Sequence, residues 1–224
     1  MTFDIKPIDI AGNSSIGLFA FATDKYVILP FSTKKKVKET CKEILKVNPI
    51  EVTLVNSKLI GLFATGTEDI LLVPDVITFE ELDYLRQNLP ETEIEVIHSK
   101  ITALGNTITI GEKIAFIHPD FEVDARKKLE DVLDREIIPR KVMNSPLVGS
   151  ILFQNKNGIL AHPMISDLEL EEVQEIFGKK GDITTVNRGT PYPRPGIIAN
   201  SHGALVGSDS TGPEIMRIFN ILGP

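Results

Sequence analysis

The sequence predicts an α/β fold in which five ββαβ units form a closed ring. Three observations lead to this prediction. A glycine recurs every 44 residues, each interval contains extended and helical segments in the same order, and a spare strand at one end matches a missing strand at the other. Repeats of roughly 20–50 residues are typical of units that bury their apolar faces against their neighbours.

The repeat is visible in two stretches of similar sequence, IGLFAFATDKYVILPF (16–31) and IGLFATGTEDILLVPD (60–75). Their glycine recurs at the same spacing as Gly17, Gly61, Gly105 and Gly149, and a fifth copy begins near Gly196 after a slightly longer interval. We therefore expect a single domain over 1–224. Its units span approximately 16–56, 57–100, 101–144, 145–187 and 194–224, after an N-terminal strand at 2–11.

Each unit begins with two short apolar runs around a polar turn, a pattern typical of a β-hairpin. The turns are ATDK, GTED, TIGEK, NKNG and NSHG. A helix follows, because residue pairs that match a capping box precede apolar residues at helical spacing. These pairs are Thr78 with Glu81, Ser166 with Glu169, and Thr211 with Glu214. In the third unit we expect Asp120 to cap the helix.

A third extended run closes the first four units: IEVTLV, EIEVIH, EIIPRKV and ITTVN. The fifth unit lacks this run, whereas the N-terminal TFDIKPIDI is a strand without a unit. We expect the N-terminal strand to complete the fifth unit and so close the ring. Closure also removes exposed sheet edges, which otherwise favour aggregation.

Composition limits the classes of function. A net charge of −7 argues against broad binding to nucleic acid, which needs clustered Lys and Arg, but it is compatible with a basic protein partner. The single cysteine excludes an internal disulfide and suits a reducing compartment. No apolar stretch approaches the roughly 20 residues that span a bilayer. We expect a cytoplasmic protein.

Few residues suggest chemistry, and we expect no catalytic group, metal or cofactor. Cys41 occupies a helix position that other units fill with Leu or Val, so it is interpreted as a core residue. His98 shares a strand position with aliphatic residues and is expected to be partly buried and hydrogen-bonded. His118 and His162 each precede a proline at equivalent positions, which indicates a role in a turn.

Three surface features remain open to a binding role. Lys34–Lys38 open the first helix, either as a solvated face or as a minor contact with a phosphate-rich partner. The segment NRGTPYPRPG (187–196) is either a linker or a contact loop. The residue after each repeat glycine varies in type, which relaxed packing or an asymmetric partner would explain. These residues are Leu18, Leu62, Asn106, Ser150 and Ile197.

Three stretches resemble the translation initiation factor 6 family in its archaeal form: SKITALGNTITIGEKIAFIHPD, LVGSILFQNKNGILAHP and TTVNRGT. The similarity runs from the first strand to the last helix. It implies the pentein fold, a five-unit αβ propeller, which agrees with the repeat. It also implies binding to the intersubunit face of the large (50S) ribosomal subunit, mainly to a ribosomal protein near the sarcin–ricin loop. Occupancy there would block association with the small (30S) subunit.

The resemblance implies contact residues. Leu62, Asn106 and Ile151 align with contact positions of eukaryotic relatives, although those relatives tend to have Arg at Leu62 and an aromatic residue at Ile151. With Ser150, Asn187 and Arg188 they form our predicted ribosome contact. We expect a monomer that acts as a binding protein.

The alternative is a guanidine-modifying pentein enzyme, such as a deiminase or an amidinotransferase. Such enzymes use a Cys nucleophile near the C-terminus. This sequence has no Cys after Cys41, which argues against the alternative.

Overall fold

The computed structural model describes residues 3–224 and contains five three-stranded sheets. In each sheet a central strand pairs antiparallel with a short first strand and parallel with a third. The strands are β1 (Asp4–Ile8), β2 (Phe21–Ala22), β3 (Tyr26–Pro30), β4 (Asn48–Val52), β5 (Thr65–Gly66), β6 (Ile70–Pro74), β7 (Glu93–Ile97), β8 (Ile108–Ile110), β9 (Ile114–Ile117), β10 (Glu136–Pro139), β11 (Leu152–Gln154), β12 (Gly158–Ala161), β13 (Lys180–Ile183), β14 (Ile197–Ala199) and β15 (Gly203–Gly207).

Each unit contains one long helix between its second and third strands, or after β15 in the fifth unit. These helices are α1 (Lys35–Leu45), α2 (Phe79–Asn88), α3 (Val123–Leu133), α4 (Asp167–Phe177) and α5 (Gly212–Leu222). A short helix, which we call an axial turn, precedes the first strand of each unit. The axial turns are Ile16–Leu18, Ile60–Phe63, Leu104–Thr107, Val148–Ile151 and Pro193–Gly196. No helix within residues 3–224 is long and apolar enough to cross a membrane.

The first strand completes the fifth unit, as the sequence predicts. The prediction that closure removes the sheet edges is wrong, because the five sheets stay separate and each keeps two edge strands. β1 pairs in parallel with β15, from Asp4 opposite Gly203 to Ile8 opposite Gly207. It therefore occupies the position that the unit's own third strand takes in the other four sheets. The fold is an α/β ring of five units in which the first strand of the chain completes the last unit.

The apolar core lies between each sheet and its helices, in five clusters of buried residues. One helix position illustrates the repeat, since its side chain is fully buried in all five units. The residues at this position are Cys41, Leu85, Leu129, Val173 and Ile218. The interpretation of Cys41 as a core residue is confirmed.

The axial turns pack around the centre of the ring, where backbone approaches backbone. A Cβ atom on Gly61 would lie 2.0 Å from the carbonyl oxygen of Gly17, and one on Gly105 would lie 2.0 Å from that of Gly61. Gly149 meets Gly105 in the same way. Only glycine allows backbones to come this close. The recurring glycine therefore sets the spacing of the units around the axis.

The fifth unit departs from the prediction that Gly196 is the repeat glycine. Arg194 is the second residue of its axial turn, and its carbonyl oxygen faces Gly17 as Gly17 faces Gly61. The equivalent of Leu62 and Asn106 is consequently Pro195, not Ile197, which begins β14. An alignment of the repeats on their glycines selects Gly196, because this glycine lies only two residues after Arg194, the true equivalent.

Carboxylates at the helix starts connect neighbouring units. Val55 and Asn56 form a left-handed turn after β4, and their N–H groups both donate to Glu81 of the next helix at 2.9 Å. Glu169 accepts from Met143 in the equivalent turn. Glu81 also completes the predicted capping box with Thr78. The first helix has Val37 at this position, so the turn at Ala11 and Gly12 lacks such a partner.

Two local predictions are wrong. Helix α3 begins at Val123 with Glu122 as its N-cap residue, so Asp120 does not cap it. His98 is exposed rather than partly buried, and its Nδ1 lies 3.6 Å from a carboxylate oxygen of Asp75. The strand β7 ends at Ile97, which leaves His98 beyond the sheet.

Replacing Gly61 with Ala tests the axial packing. The added methyl group would overlap backbone that cannot move independently, so we expect a loss of about 3 kcal/mol or more in the free energy of unfolding. Chemical denaturation measures this loss. Gly212 is the control, because nothing lies within 4 Å of a Cβ there. Equal stability of Gly61→Ala and Gly212→Ala would contradict the close approach.

The lowered pKa of Glu214 predicts that the stability of the fold depends on pH. Burial raises its pKa, but hydrogen bonds from Thr211, Thr185 and Gly189 outweigh burial and lower the pKa from 4.5 to about 2. A carboxylate with a depressed pKa stabilises the fold above its unfolded pKa, and this contribution is lost between pH 4.5 and 2. We expect Glu214→Gln to cost about 1–2 kcal/mol at pH 6.

The cost of Glu214→Gln should shrink as the pH falls toward 2, as denaturation at several pH values would show. The exposed Glu112 provides the matched control, Glu112→Gln. A cost for Glu214→Gln that is the same at pH 6 and pH 2.5 would contradict the assignment.

Candidate functional site

The strand directions give the ring two different ends. Each central strand runs from the hairpin turn toward the start of a long helix, and the axial turn precedes the antiparallel first strand. The axial turns, the helix N-termini and the left-handed turns therefore lie at one end, which we call the axial face. The hairpin turns and the helix C-termini lie at the other end, the hairpin face.

All six residues of the predicted contact belong to the axial face, but they differ in exposure. Leu62 and Asn106 are half-buried, whereas Ser150 and Ile151 are only 5% and 2% exposed. Because Ile151 packs in a core cluster, it has almost no surface to offer a partner. A contact role for Ile151 stays a prediction, to which its burial gives no support.

Asn106 and Asn187 have opposite hydrogen-bonding states. The carboxamide of Asn106 makes no hydrogen bond within residues 3–224 and is not fully buried. Asn187 instead donates its amide to the carbonyl of Ser14 at 2.9 Å and accepts from the hydroxyl of Ser210. The side chain of Asn187 therefore links the turn after β1 to the segment after β15. The carboxamide of Asn106, in contrast, is free to form hydrogen bonds with a partner. The adjacent Arg188 is exposed.

Apolar side chains are exposed mainly on the axial face, which the repeat pattern does not predict. Their positions follow the central strands, begin the long helices or precede the axial turns. They are Phe31, Val76, Phe79, Val123, Leu147, Met164, Leu168 and Tyr192. Phe79 and Leu168 are 77% and 80% exposed. Phe79 and Val123 could have been predicted, because each is the first residue of a helix, whose first turn is normally rich in Asp and Glu.

The basic segment at the start of α1 lies on the same face. Lys34 and Lys36 are exposed and form no ion pair within the described residues, whereas Lys38 binds Glu51 at 2.6 Å and Lys35 approaches Glu39 at 3.7 Å. Part of this positive charge is therefore already neutralised. Of the remainder, Lys34 lines a surface groove together with the exposed Phe31.

The hairpin face is polar. One residue from each hairpin turn surrounds the mouth of a central channel: Asp24, Glu68, Glu112, Lys156 and Ser201. The ammonium group of Lys156 lies 2.6 Å from Asp24 and 2.8 Å from Glu68, and so links three units across the mouth. These contacts raise the pKa of Lys156, with the hydrogen bond to Asp24 as the largest cause.

Comparison with known proteins decides the family. The model of the eIF-6 family matches residues 5–221. The chain belongs to the eIF-6 family. Translation initiation factor 6 of Pyrobaculum arsenaticum is 37% identical over 221 residues, which are 99% of this chain and all of that protein. The same factor of Thermococcus onnurineus is 34% identical over 223 residues, 98% of each chain. Membership in the eIF-6 family makes this chain a translation initiation factor.

Solved structures confirm the pentein fold for this eIF-6 family member. The N-terminal domain of ArgZ, an arginine dihydrolase from cyanobacteria, has a TM-score of 0.50 at 13% identity and covers 76% of this chain and 68% of its own. DDAH from Pseudomonas aeruginosa has a TM-score of 0.50 at 12% identity and covers 76% and 69%. These likenesses show the fold alone.

In this eIF-6 family member, His118 and His162 stabilise turns, as the sequence predicts. Nδ1 of His118 accepts from the N–H of Asp120 at 3.0 Å, and Nδ1 of His162 accepts from that of Met164 at 3.1 Å. Burial lowers the pKa of His162. Within residues 3–224 no three His, Cys, Asp or Glu residues are grouped as a metal site would require.

The thiol of Cys41 should be unreactive in the folded protein. Burial raises its pKa to about 12, so almost no thiolate exists near neutral pH, and the thiolate is the nucleophile. We expect an alkylating reagent at pH 8 to leave the native protein unmodified and to modify one thiol in denaturant, as mass spectrometry would show. Rapid labelling of native protein would contradict the buried position.

Proposed function

We propose that the protein binds the intersubunit face of the large ribosomal subunit and prevents association with the small subunit. Family membership supports the proposal, and the single structural observation that carries it is the axial face. That face combines exposed apolar side chains with the unbonded carboxamide of Asn106. Clustered exposed apolar surface rimmed by polar groups is typical of a protein-binding site.

The mechanism is steric exclusion and requires no catalysis. A stable interface buries about 800 Å² on each partner. That is less than a tenth of this protein's accessible surface of 10126 Å². The remaining bulk of the ring would project from the ribosomal surface and occupy the volume that the small subunit must enter. A rigid closed ring suits this role, since no conformational change has to be driven.

Charge supports a ribosomal protein as the main partner. A chain of net charge −7 is attracted to the basic proteins of the ribosome, which favours rapid association. We place that partner near the sarcin–ricin loop, on the basis of the family resemblance. Lys34 and Lys36 supply a minor contact with ribosomal RNA, because they are exposed on the same face. The factor acts as a cytoplasmic monomer.

The guanidine-modifying enzyme finds no support beyond the shared fold. Such chemistry needs a reactive nucleophile, and the only thiol is buried in the core. In addition, Arg194 contributes a guanidinium group to the lining of the central channel. A second guanidinium group entering there would be repelled.

Changing Asn106 to Arg tests the proposed face. The longer charged side chain would obstruct close contact, so we expect at least a tenfold loss of affinity for the large subunit with an almost unchanged melting temperature. Sedimentation with purified subunits measures binding, and a subunit-joining assay measures the effect. Wild-type protein should migrate with the large subunit and reduce joining.

Asn48→Arg is the matched control for Asn106→Arg. Asn48 is likewise an asparagine without a side-chain hydrogen bond in the described chain, but it is exposed and begins β4 near the hairpin face. It should bind as wild type does. Equal binding by both variants would exclude Asn106 from the interface. Migration of wild-type protein with the small subunit alone, or with neither subunit, would contradict the proposed function.

A further inference from the structure

A channel follows the axis of the ring behind the axial turns. Its inner part is a cavity of about 110 Å³ lined by the first strands of all five units. Its outer part, of about 160 Å³, reaches the hairpin turns. The two parts share one residue from each unit: Ala22, Gly66, Ile110, Gln154 and Ala199. The cavity is therefore continuous with solvent at the hairpin face.

Arg194 brings a positive charge into the inner cavity. Its Nη2 donates to the carbonyl oxygen of Ala64 in a long hydrogen bond of 3.3 Å. Its Nε is fully buried and has no acceptor among residues 3–224. The third nitrogen, Nη1, forms no hydrogen bond to the described chain and is not fully buried, so it remains accessible from the cavity. No carboxylate of the described residues lies within 4.0 Å of the guanidinium group.

An unpaired charge at this depth is energetically unfavourable. Burial alone lowers the pKa of Arg194 to about 10, and no neighbouring charge acts on it. The group nevertheless remains protonated at neutral pH. Arg194 keeps some accessible surface, but its Nε is fully buried, so this cation without a counter-ion has only part of the compensation that hydration or an ion pair supplies. The other four units have glycine at this position, so the axial packing itself does not require the arginine.

The channel as a whole carries a positive balance, although the chain is acidic. Its lining contains four basic side chains, Arg135, Lys156, Lys179 and Arg194, against the carboxylates of Asp24, Glu68 and Glu112. Lys156 pairs with two of these carboxylates. Lys179 instead donates to the uncharged oxygens of Gln154 and Asn155.

Thr109 provides a neutral donor within the same cavity. Its hydroxyl accepts a hydrogen bond from Gln154 at 3.0 Å and donates none within the described chain, so its proton is available. A guanidinium group together with a hydroxyl donor matches the recognition chemistry of phosphate and carboxylate groups. A cavity of about 110 Å³ accommodates a small ion of this kind.

We propose that the axial channel is a binding site for a small oxyanion held by Arg194. Inorganic phosphate, sulfate and small carboxylates share this chemistry. The cavity lies behind the axial turns and its outer part reaches the hairpin face, so an ion would enter from the end opposite the proposed ribosome contact. Occupancy would compensate the buried charge and stabilise the ring at the point where the five units meet.

Thermal unfolding with added anions tests the site. Phosphate, sulfate or acetate would be titrated at constant ionic strength against potassium chloride, and isothermal titration calorimetry would give the stoichiometry. A ligand that binds only the folded state raises stability with its concentration. We expect wild-type protein to be stabilised by an oxyanion beyond the chloride control and to bind one ion per chain. Stronger stabilisation by phosphate and sulfate than by acetate would identify a tetrahedral ligand, and the reverse order a carboxylate.

Two variants assign the effect to Arg194. Arg194→Gly introduces the residue of the other four units, and Arg194→Met keeps the bulk of the side chain without its charge. Both should lose at least tenfold in affinity, while Arg86→Ala, at an exposed helix position, should bind as wild type does. The proposal fails if no oxyanion stabilises the wild-type protein more than chloride does. It also fails if a folded Arg194→Met variant retains wild-type affinity.

Discussion

The close approach of the axial turns is the constraint on which the structure depends. Backbone meets backbone at the axis because glycine carries no side chain, and a methyl group at Gly61 or Gly105 would lie about 2.0 Å from a neighbouring carbonyl oxygen. That contact fixes the distance of each unit from the axis and so brings each helix onto its own and the neighbouring sheet. The carboxylate contacts, of which Glu81 with Val55 is one, then fix the rotation of one unit against the next.

The same geometry separates two kinds of surface. Every connection that leads into a long helix lies at the axial face, so apolar residues such as Phe79 and Leu168 are exposed together there. The hairpin turns lie at the opposite end, where Lys156 joins carboxylates of two other units. A partner that recognises apolar and amide groups therefore meets one end only, whereas small ions have access to the other.

Much of the architecture follows from the sequence, because an internal repeat predicts the number and order of the units, which no single helix or strand does. The interval of 44 residues predicts the five units, and the unmatched strand predicts the pairing of β1 with β15. Cys41 is identified as core because equivalent positions are aliphatic. Such comparisons between units succeed at positions where the side chain is buried in the same way in every unit.

The candidate site was less accessible to this reasoning, because it depends on differences between units. Aligning glycines placed Gly196 in a position that Arg194 occupies, and the buried guanidinium group was missed as a result. Ile151 aligns with a contact position of relatives, but its axial turn directs its side chain into a core cluster, which the alignment does not reveal. The exposure of these side chains depends on how several units pack together, and the sequence pattern of one unit does not contain this information.

Ring closure by the first strand has a consequence for folding during synthesis. β1 is made before every other strand described, and its partner β15 lies about 200 positions later in the chain. Each internal unit can collapse as it emerges, since its contacts are local, whereas the fifth sheet joins segments of very high sequence separation and forms last. Until then β15 lacks a partner on the side that β1 takes, and the fifth unit has no third strand. The last unit is therefore completed only by a segment that was made before any other strand of the ring.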